Sequence, residues 1–275
     1  MGEELAAGPE QRARSLQEFL RTRVFGRKTC WHLQVGSTND LAARLAAEGA
    51  PEGTLVVADQ QEMGRGRGGR QWYSPPGLGL YFSLVLRPRE YARIVPLQTF
   101  LTAVALTEVI RARCRLAATI RWPNDVFIEG RKVAGILAEA RMLGSGIRNL
   151  VVGVGWNLRH RAADFPDDLR GRATSLAAAG MEEVNSIPLL AYLLEVWENW
   201  YERFSKEGAD SLLEAWRRYS PESTGHWVRV ADGKRILTGK TRGVDSEGAL
   251  LVEGDDGCVN RIRFGEVQSM LEVRS

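Results

Sequence analysis

Gly64-Arg65-Gly66-Arg67-Gly68-Gly69-Arg70-Gln71-Trp72 lies between two apolar, strand-like runs, Leu55–Ala58 and Leu80–Leu86. Four glycines within six positions, 64, 66, 68 and 69, let backbone N–H groups come close to an anion. Arg65, Arg67 and Arg70 add forked cations whose geometry suits carboxylate and phosphate. Trp72 offers a flat face to stack on, or wall off, a planar ligand. A solvated Arg/Gly segment of the RNA-binding kind has the same composition. It is usually many repeats long, whereas this block is single and short.

Outward from this loop, the chain reads as strands and helices in irregular alternation. Thr29–Gln34 is a strand. Ser37, Thr38, Asn39 and Asp40 are cap-forming residues ahead of Leu41–Ala47, with Gly49 as the stop, so a helix N-terminus lies at Ser37–Asn39. Asn39 and Gln61 could also read a planar polar group. Downstream, Pro96 opens a long helical pattern over Leu97–Cys114. Strands at Thr119–Trp122 and Val126–Ile128 flank the bend Pro123-Asn124-Asp125. Lys132 begins a strand of small and apolar residues through Gly135 to Glu139. A lysine there either holds a negative charge in a pocket or protects a strand edge. In Asn149–Trp156 the glycines of Gly153-Val154-Gly155-Trp156-Asn157 mark either a close approach to the backbone or a bend. A short helix is expected over Ser15–Val24, with residues before it loose, and two more run from Ser186 to Gly208 and from Ser211 to Arg218. The fold class is therefore α+β with a mixed β-sheet.

After Ser220–Gly225 only short strands and turns follow: Trp227–Val230, Ile236–Thr241, Ala249–Val252 and Val259–Arg263. Their regular turn spacing predicts a small all-β module. Residues 1–222 are taken as one domain and 223–275 as a second.

Composition excludes several classes. The 275 residues carry a net charge of only +3, so any basic function must be local. Three scattered cysteines (Cys30, Cys114, Cys258) and three dispersed histidines give neither a disulfide framework nor a structural zinc site. The N-terminus lacks the apolar stretch of a signal peptide, and no run is long enough to span a membrane, so a cytoplasmic setting is expected.

Taken in order, these elements resemble the biotin protein ligases: Ser37-Thr38-Asn39, then Gln61 ahead of GRGRGGR-x-W-x-S-P (Gly64–Pro75), then WPND (Trp122–Asp125), RKVAGIL (Arg131–Leu137) and GxGxN (Gly153–Asn157). The C-terminal module resembles that family's SH3-like β-barrel domain. The resemblance implies a catalytic domain of the class II aminoacyl-tRNA synthetase/biotin ligase kind and a two-step reaction. Biotin and ATP give biotinyl-5′-AMP, with Mg²⁺ present, and a lysine of the biotin carboxyl carrier protein of acetyl-CoA carboxylase then takes the biotinyl group.

By position, Ser37, Thr38, Asn39 and Gln61 match biotin contacts. Gly64, Arg65, Gly66 and Arg67 match the loop over carboxylate and phosphate. Lys132 matches the lysine bridging the two, with Trp72 and Gly135 as walls. Asn124 and Asp125 match adenylate- or magnesium-side groups, Asn157 an adenine-side contact. Lys132, Arg67 and Asp125 are the catalytic candidates, Asp125 also being the candidate proton acceptor. Leu158–Arg172 reads, by position, as a second loop over the adenine. A lipoate–protein ligase shares the adenylation logic but does not usually carry this arginine–glycine loop.

Three departures stand out. Arg121 replaces the family's lysine before WPND. Trp156 stands where a smaller residue is usual and is expected to reshape the adenylate side. Some thirty residues precede the first matching strand, too few for the winged-helix domain of repressor-type members, so sequence-specific DNA binding is not expected. A homodimer is compatible with the resemblance.

Overall fold

Among the described residues seven strands build the larger sheet: β1 (Thr29–Val35), β2 (Leu55–Gln61), β3 (Gly79–Leu86), β4 (Ala118–Arg121), β5 (Asp125–Ile128), β6 (Arg131–Leu143) and β7 (Gly146–Asn157). Their order is β1-β2-β3-β7-β6-β5-β4, parallel only between β1 and β2. The structure, a computed structural model, describes residues 7–88, 95–143, 146–232, 235–263 and 265–269.

Among the described residues five α-helices cover the sheet: α1 (Pro9–Phe19), α2 (Thr38–Ala47), α3 (Val95–Val109), α4 (Ser186–Glu207) and α5 (Asp210–Tyr219). The expected mixed α+β architecture is present. Helix α3 is buried on nearly every side, as its apolar sequence requires of a central helix. It continues as a π-helical turn, Ile110–Cys114, which Arg115 closes at φ 56°. One face of the sheet joins α1, α3, α4 and α5 in the main core, where Phe100 stacks on Trp216 with centroids 4.3 Å apart. The opposite face carries α2, through Ala42 and Ala46 on Val56, Val85 and Val151. That single covering helix leaves the groove beside its N-terminus for the loop after β2.

The first helix is shifted from the expected Ser15–Val24. Pro9 occupies its first turn, where the missing N–H costs nothing, and Leu20 leaves it in extended conformation. Residues 20–28 turn instead against Glu198, whose carboxylate accepts the backbone N–H groups of Arg23, Val24 and Phe25 at 2.6–2.8 Å. The expected loose N-terminal segment is helical from Pro9, and residues 1–6 lie outside the described residues.

The C-terminal strands β8 (Thr224–Asp232), β9 (Arg235–Val244), β10 (Leu250–Glu253), β11 (Val259–Ile262) and β12 (Glu266–Ser269) form an antiparallel sheet, ordered β11-β10-β9-β8-β12. Strand β12, largely polar in sequence, is additional to those expected. This sheet touches the larger unit at several places. Trp122 Nε1 donates to Gly248 O (3.0 Å), Arg217 donates to Val244 O (3.2 Å), and Arg121 is bidentate to Glu222 just ahead of β8 (3.0 and 3.1 Å). Among the described residues no helix is long and apolar enough to cross a membrane.

Candidate active site

The arginine–glycine loop is an ordered hairpin. Arg65 pairs with Gln71, Gly66 N–H donates to Arg70 O (2.6 Å) and Trp72 N–H to Gly64 O (2.8 Å). Its tip turns through Gly68 and Gly69 at φ 70° and 78°, conformations that favour glycine. At its base, a Cβ on Gly64 would lie 2.7 Å from Trp72 O and 2.8 Å from Ser74 Oγ.

Trp72 returns from the hairpin to lie across two glycines paired on adjacent strands, Gly135 of β6 and Gly155 of β7. A Cβ on Gly135 would stand 2.8 Å from the indole, and one on Gly155 only 2.3 Å from it. Both glycines are thus present because an aromatic plane occupies their side-chain space. Gly153 answers to Asn39 in the same way, whose amide oxygen fills the place of its Cβ.

Lys132 stands over this indole, Nζ 5.2 Å from the ring centroid, and pairs with Asp125 at 2.7 Å. Strict alternation along β6 would send Lys132 to the face of Ala134 and Ile136, both in the main core. The register shifts between Ala134↔Val126 and Lys132↔Phe127, leaving Val133 as an extra residue on β6. This bulge brings Lys132 round to the side of Gly135, where its Cε and Nζ would be 3.2 and 3.3 Å from a Cβ. Segment 172–174 extends the sheet along Lys132: Lys132 N–H donates to Arg172 O and Thr174 N–H to Lys132 O, each at 2.9 Å.

The polar side of the groove is built on the α2 N-terminus. Ser37, although at the cap position and buried, makes no side-chain cap bond. Gln61 from β2 supplies that acceptor instead: its Oε1 takes the backbone N–H of Thr38 (2.9 Å) and the Thr38 hydroxyl (3.0 Å), while its Nε2 donates to Ser74 Oγ (3.0 Å). Ser83 donates to Asn39 Oδ1 (2.6 Å), and Asn39 Nδ2 donates to Glu139 (2.7 Å). Arg65 lies between Asp40 and Glu139, and its guanidinium is driven further toward the charged form, first by the Asp40 hydrogen bond. Arg67 reaches the other sheet, donating to Gly265 O (3.0 Å) and lying 5.7 Å from the Trp122 ring.

A protein so arranged presents an amide-and-hydroxyl pocket, a flat aromatic wall, a lysine–carboxylate pair and a loop of cations along one groove. The model of the Biotin/lipoate A/B protein ligase family matches residues 32–157, and that of the biotin protein ligase C terminal domain matches residues 225–269. The Bifunctional ligase/repressor BirA of Bacillus subtilis (strain 168) is 36% identical over 249 residues, 90% of this chain and 76% of that one. The biotin–[acetyl-CoA-carboxylase] ligase of Paracoccus denitrificans is 33% identical over 225 residues, covering 80% and 92%. The chain belongs to the biotin protein ligase family. Its structure is similar to that of the Aquifex aeolicus biotin protein ligase in complex with biotin and ATP, with TM-score 0.76, 28% identity, and 88% of this chain and 98% of that one covered.

Within this biotin protein ligase fold, Thr38, Asn39, Gln61, Gly64, Arg65, Trp72, Asp125, Lys132 and Gly135 are brought together by the contacts above, with Ser37 and Gly66 beside them in sequence. Asn124 and Asn157 lie deeper and hold backbone. Asn124 Nδ2 donates to Ile136 O (2.7 Å), and Asn157 Nδ2 to Thr174 O (3.0 Å), which fixes the segment beside Lys132. Trp156 lies on the core side of β7. The pleat of β7 turns it, fully buried, into the main core, away from Gly155. Arg121, placed against the ring of Phe127 and paired with Glu222, ties the WPND bend to the start of the second sheet. Residues 158–172 run beside the loop's exit: Arg159 N–H donates to Leu78 O (2.8 Å), and buried His160 stacks on Phe165 with its ring 6.2 Å from that of Tyr73. Asp40, Glu139, Ser83 and Gly265 were not foreseen. Glu139 carried one signal, since it shares with Gly135 and Leu137 the alternate positions of β6.

Proposed function

We propose that this chain activates biotin with ATP and transfers the biotinyl group to a lysine of a biotin carboxyl carrier domain, that of acetyl-CoA carboxylase being the partner type. The carrying observation is the bulge-directed Lys132–Asp125 pair, held over Trp72 in the same groove as Arg65 and the Gln61–Thr38–Asn39 network. The relatives named above support the same chemistry.

In the first step a carboxylate oxygen of biotin attacks the α-phosphorus of ATP. The acyl–phosphate bond forms, the α–β anhydride bond breaks, and pyrophosphate leaves. Both partners are anions, so the barrier falls when their repulsion is neutralised and their approach is fixed. Lys132 meets the developing charge between carboxylate and phosphate, and the loop cations Arg65 and Arg67 close around it. Gln61, Thr38 and Asn39 orient the planar ureido group, and Trp72 walls the apolar ring. Its Nε1–H, buried and without an acceptor among the described residues, is a donor for the ligand. In the second step the neutral amine of the acceptor lysine attacks the acyl carbon, the amide forms, AMP leaves and a proton is released. That step therefore accelerates as pH rises through neutrality.

Magnesium fits this donor set as an ion carried by the triphosphate. No group of three or more His, Cys, Asp or Glu among the described residues could cage a metal, and magnesium is commonly bound through one or two carboxylates plus phosphate. Asp125 is the residue that would hold it, and the ion would lower charge on the phosphates. The three cysteines are free thiols, which suits a reducing, cytoplasmic setting. The break between sheets at the Pro221–Ser223 turn supports a boundary after residue 222.

The test is ATP–pyrophosphate exchange by the purified chain. Exchange that depends on biotin and not on lipoate is expected. Exchange driven by lipoate alone, or none with either, refutes the reading.

A further inference from the structure

Two carboxylates that the chemistry above leaves unused converge on Arg65. Asp40, in the first turn of α2, takes Arg65 Nη1 on both oxygens at 2.7 and 2.8 Å. Glu139, on β6, takes Nη2 on both oxygens at 3.1 and 2.9 Å. Glu139 Oε2 also accepts Nδ2 of Asn39 at 2.7 Å. A guanidinium gripped at both outer nitrogens is fixed in plane as well as in place. The hairpin bonds Gly66–Arg70 and Trp72–Gly64 set the loop's shape but, being internal, not where it lies. Arg65 helps to set that, beside Arg67 on Gly265 O and Trp72 on the paired glycines, because its two partners stand on different elements, α2 and β6.

We propose that Asp40 and Glu139 are positioning residues that act through Arg65. They hold the arginine–glycine loop across the groove between α2 and β6. Through the shared bond to Asn39, they also couple the loop's position to the polar pocket. The inference rests on the reading of Arg65 as an anion-facing cation. Its cost is built in: two carboxylates against one guanidinium leave a formal charge of −1 beside the anion's place. If simple attraction governed retention, neutralising an acid would tighten it. If position governs, neutralising an acid loosens it, and this second outcome is the one expected.

The experiment uses the full chain carrying Asp40→Asn, Glu139→Gln or both. All three side chains are partly exposed, and melting curves will report whether the fold is kept. The first readout is the initial rate of tryptic cleavage after Arg65, Arg67 and Arg70, followed by mass, with no biotin or ATP added. The double variant should be cut about fivefold faster, the scale of losing two partly exposed ion pairs. Asp40→Glu should restore resistance, and added salt should speed cleavage of the unaltered chain while leaving the double variant unchanged. The second readout is release of biotinyl adenylate, expected to quicken by a similar factor. Equal cleavage of the double variant and the unaltered chain, or unchanged or tighter adenylate retention, would overturn the proposal. A chain without biotin-dependent exchange would instead sink the functional reading, and the cleavage arm would still judge the role of the two acids.

Discussion

Adding one methyl group at Gly135 should cost this chain most of its activity and little of its stability. The new Cβ would lie 2.8 Å from the indole of Trp72 and 3.2 Å from Lys132 Cε, against an optimal carbon–carbon separation of about 3.5–4.0 Å. Because strand β6 is fixed on both sides by β5 and β7, the indole must give way by roughly 0.7–1.2 Å and the lysine by roughly 0.3–0.8 Å. Misplacement on the order of 1 Å at a positioned site can cost on the order of a hundredfold in rate. Gly135→Ala is therefore expected to lower kcat/KM for biotin-dependent exchange by about ten- to a hundredfold, or about 1.4–2.7 kcal/mol. Gly155→Ala, whose Cβ would come 2.3 Å from the ring, should be worse. Thermal melting should shift little, since Trp72 belongs to a half-buried loop rather than to the core. The decisive measurement is a double-mutant cycle. In a Trp72→Ala background the Gly155→Ala substitution should have almost no further effect, because the space it needs is already clear. Additive losses, or wild-type exchange by Gly155→Ala alone, would refute the account of Trp72 as the occupant of the glycine groove.

Lys132→Ala should abolish biotinyl-adenylate formation while leaving the far-ultraviolet dichroism intact, and near-normal adenylation would refute its role. Arg67→Ala removes a donor to Gly265 O and a cation of the loop, so free biotinyl adenylate should escape faster and label non-cognate lysines; unchanged release counts against this. His160 gives a pH signature. Burial lowers its pKa to about 4, below the unfolded value of about 6.5, so the folded chain binds fewer protons between those values. Stability is full above about pH 6.5 and falls as pH drops toward 4, by about 3 kcal/mol at most. Denaturant titrations of His160→Phe should show a flatter decline over that window, and an unchanged slope would remove His160 as the cause.

The sheet and its helices were legible because their patterns are local. The apolar run of β3, the caps and stops of α2 and the apolar helical pattern of α3 each depend on neighbours in sequence. The site was legible as a set of residue types, and less so as geometry. Lys132 shows why. A strand of period two puts it with Ala134 and Ile136, and only the bulge at Val133, a property of pairing with β5, turns it into the groove. Trp156 shows the converse. Its place in the motif drew it toward the ligand, yet the same alternation that brings Gly155 to the groove sends Trp156 to the core. Ser37 holds the cap position of α2, but the acceptor for the helix N–H comes from Gln61, distant in sequence. Asp40 and Glu139 are ordinary surface acids until the loop sets Arg65 between them.

Two acceptors that the C-terminal sheet offers the larger unit, Gly265 O for Arg67 and Gly248 O for Trp122, belong to the main chain. No side-chain replacement within that sheet deletes either atom, so scanning it residue by residue would pass over the connection. What removes a carbonyl acceptor is the opening of the strands that carry it. Small sheets open locally at lower free energy than a large core. Heat or denaturant should therefore extinguish adenylation while the seven-stranded sheet is still folded, and the enzyme's working range would be set by the lesser of its two sheets.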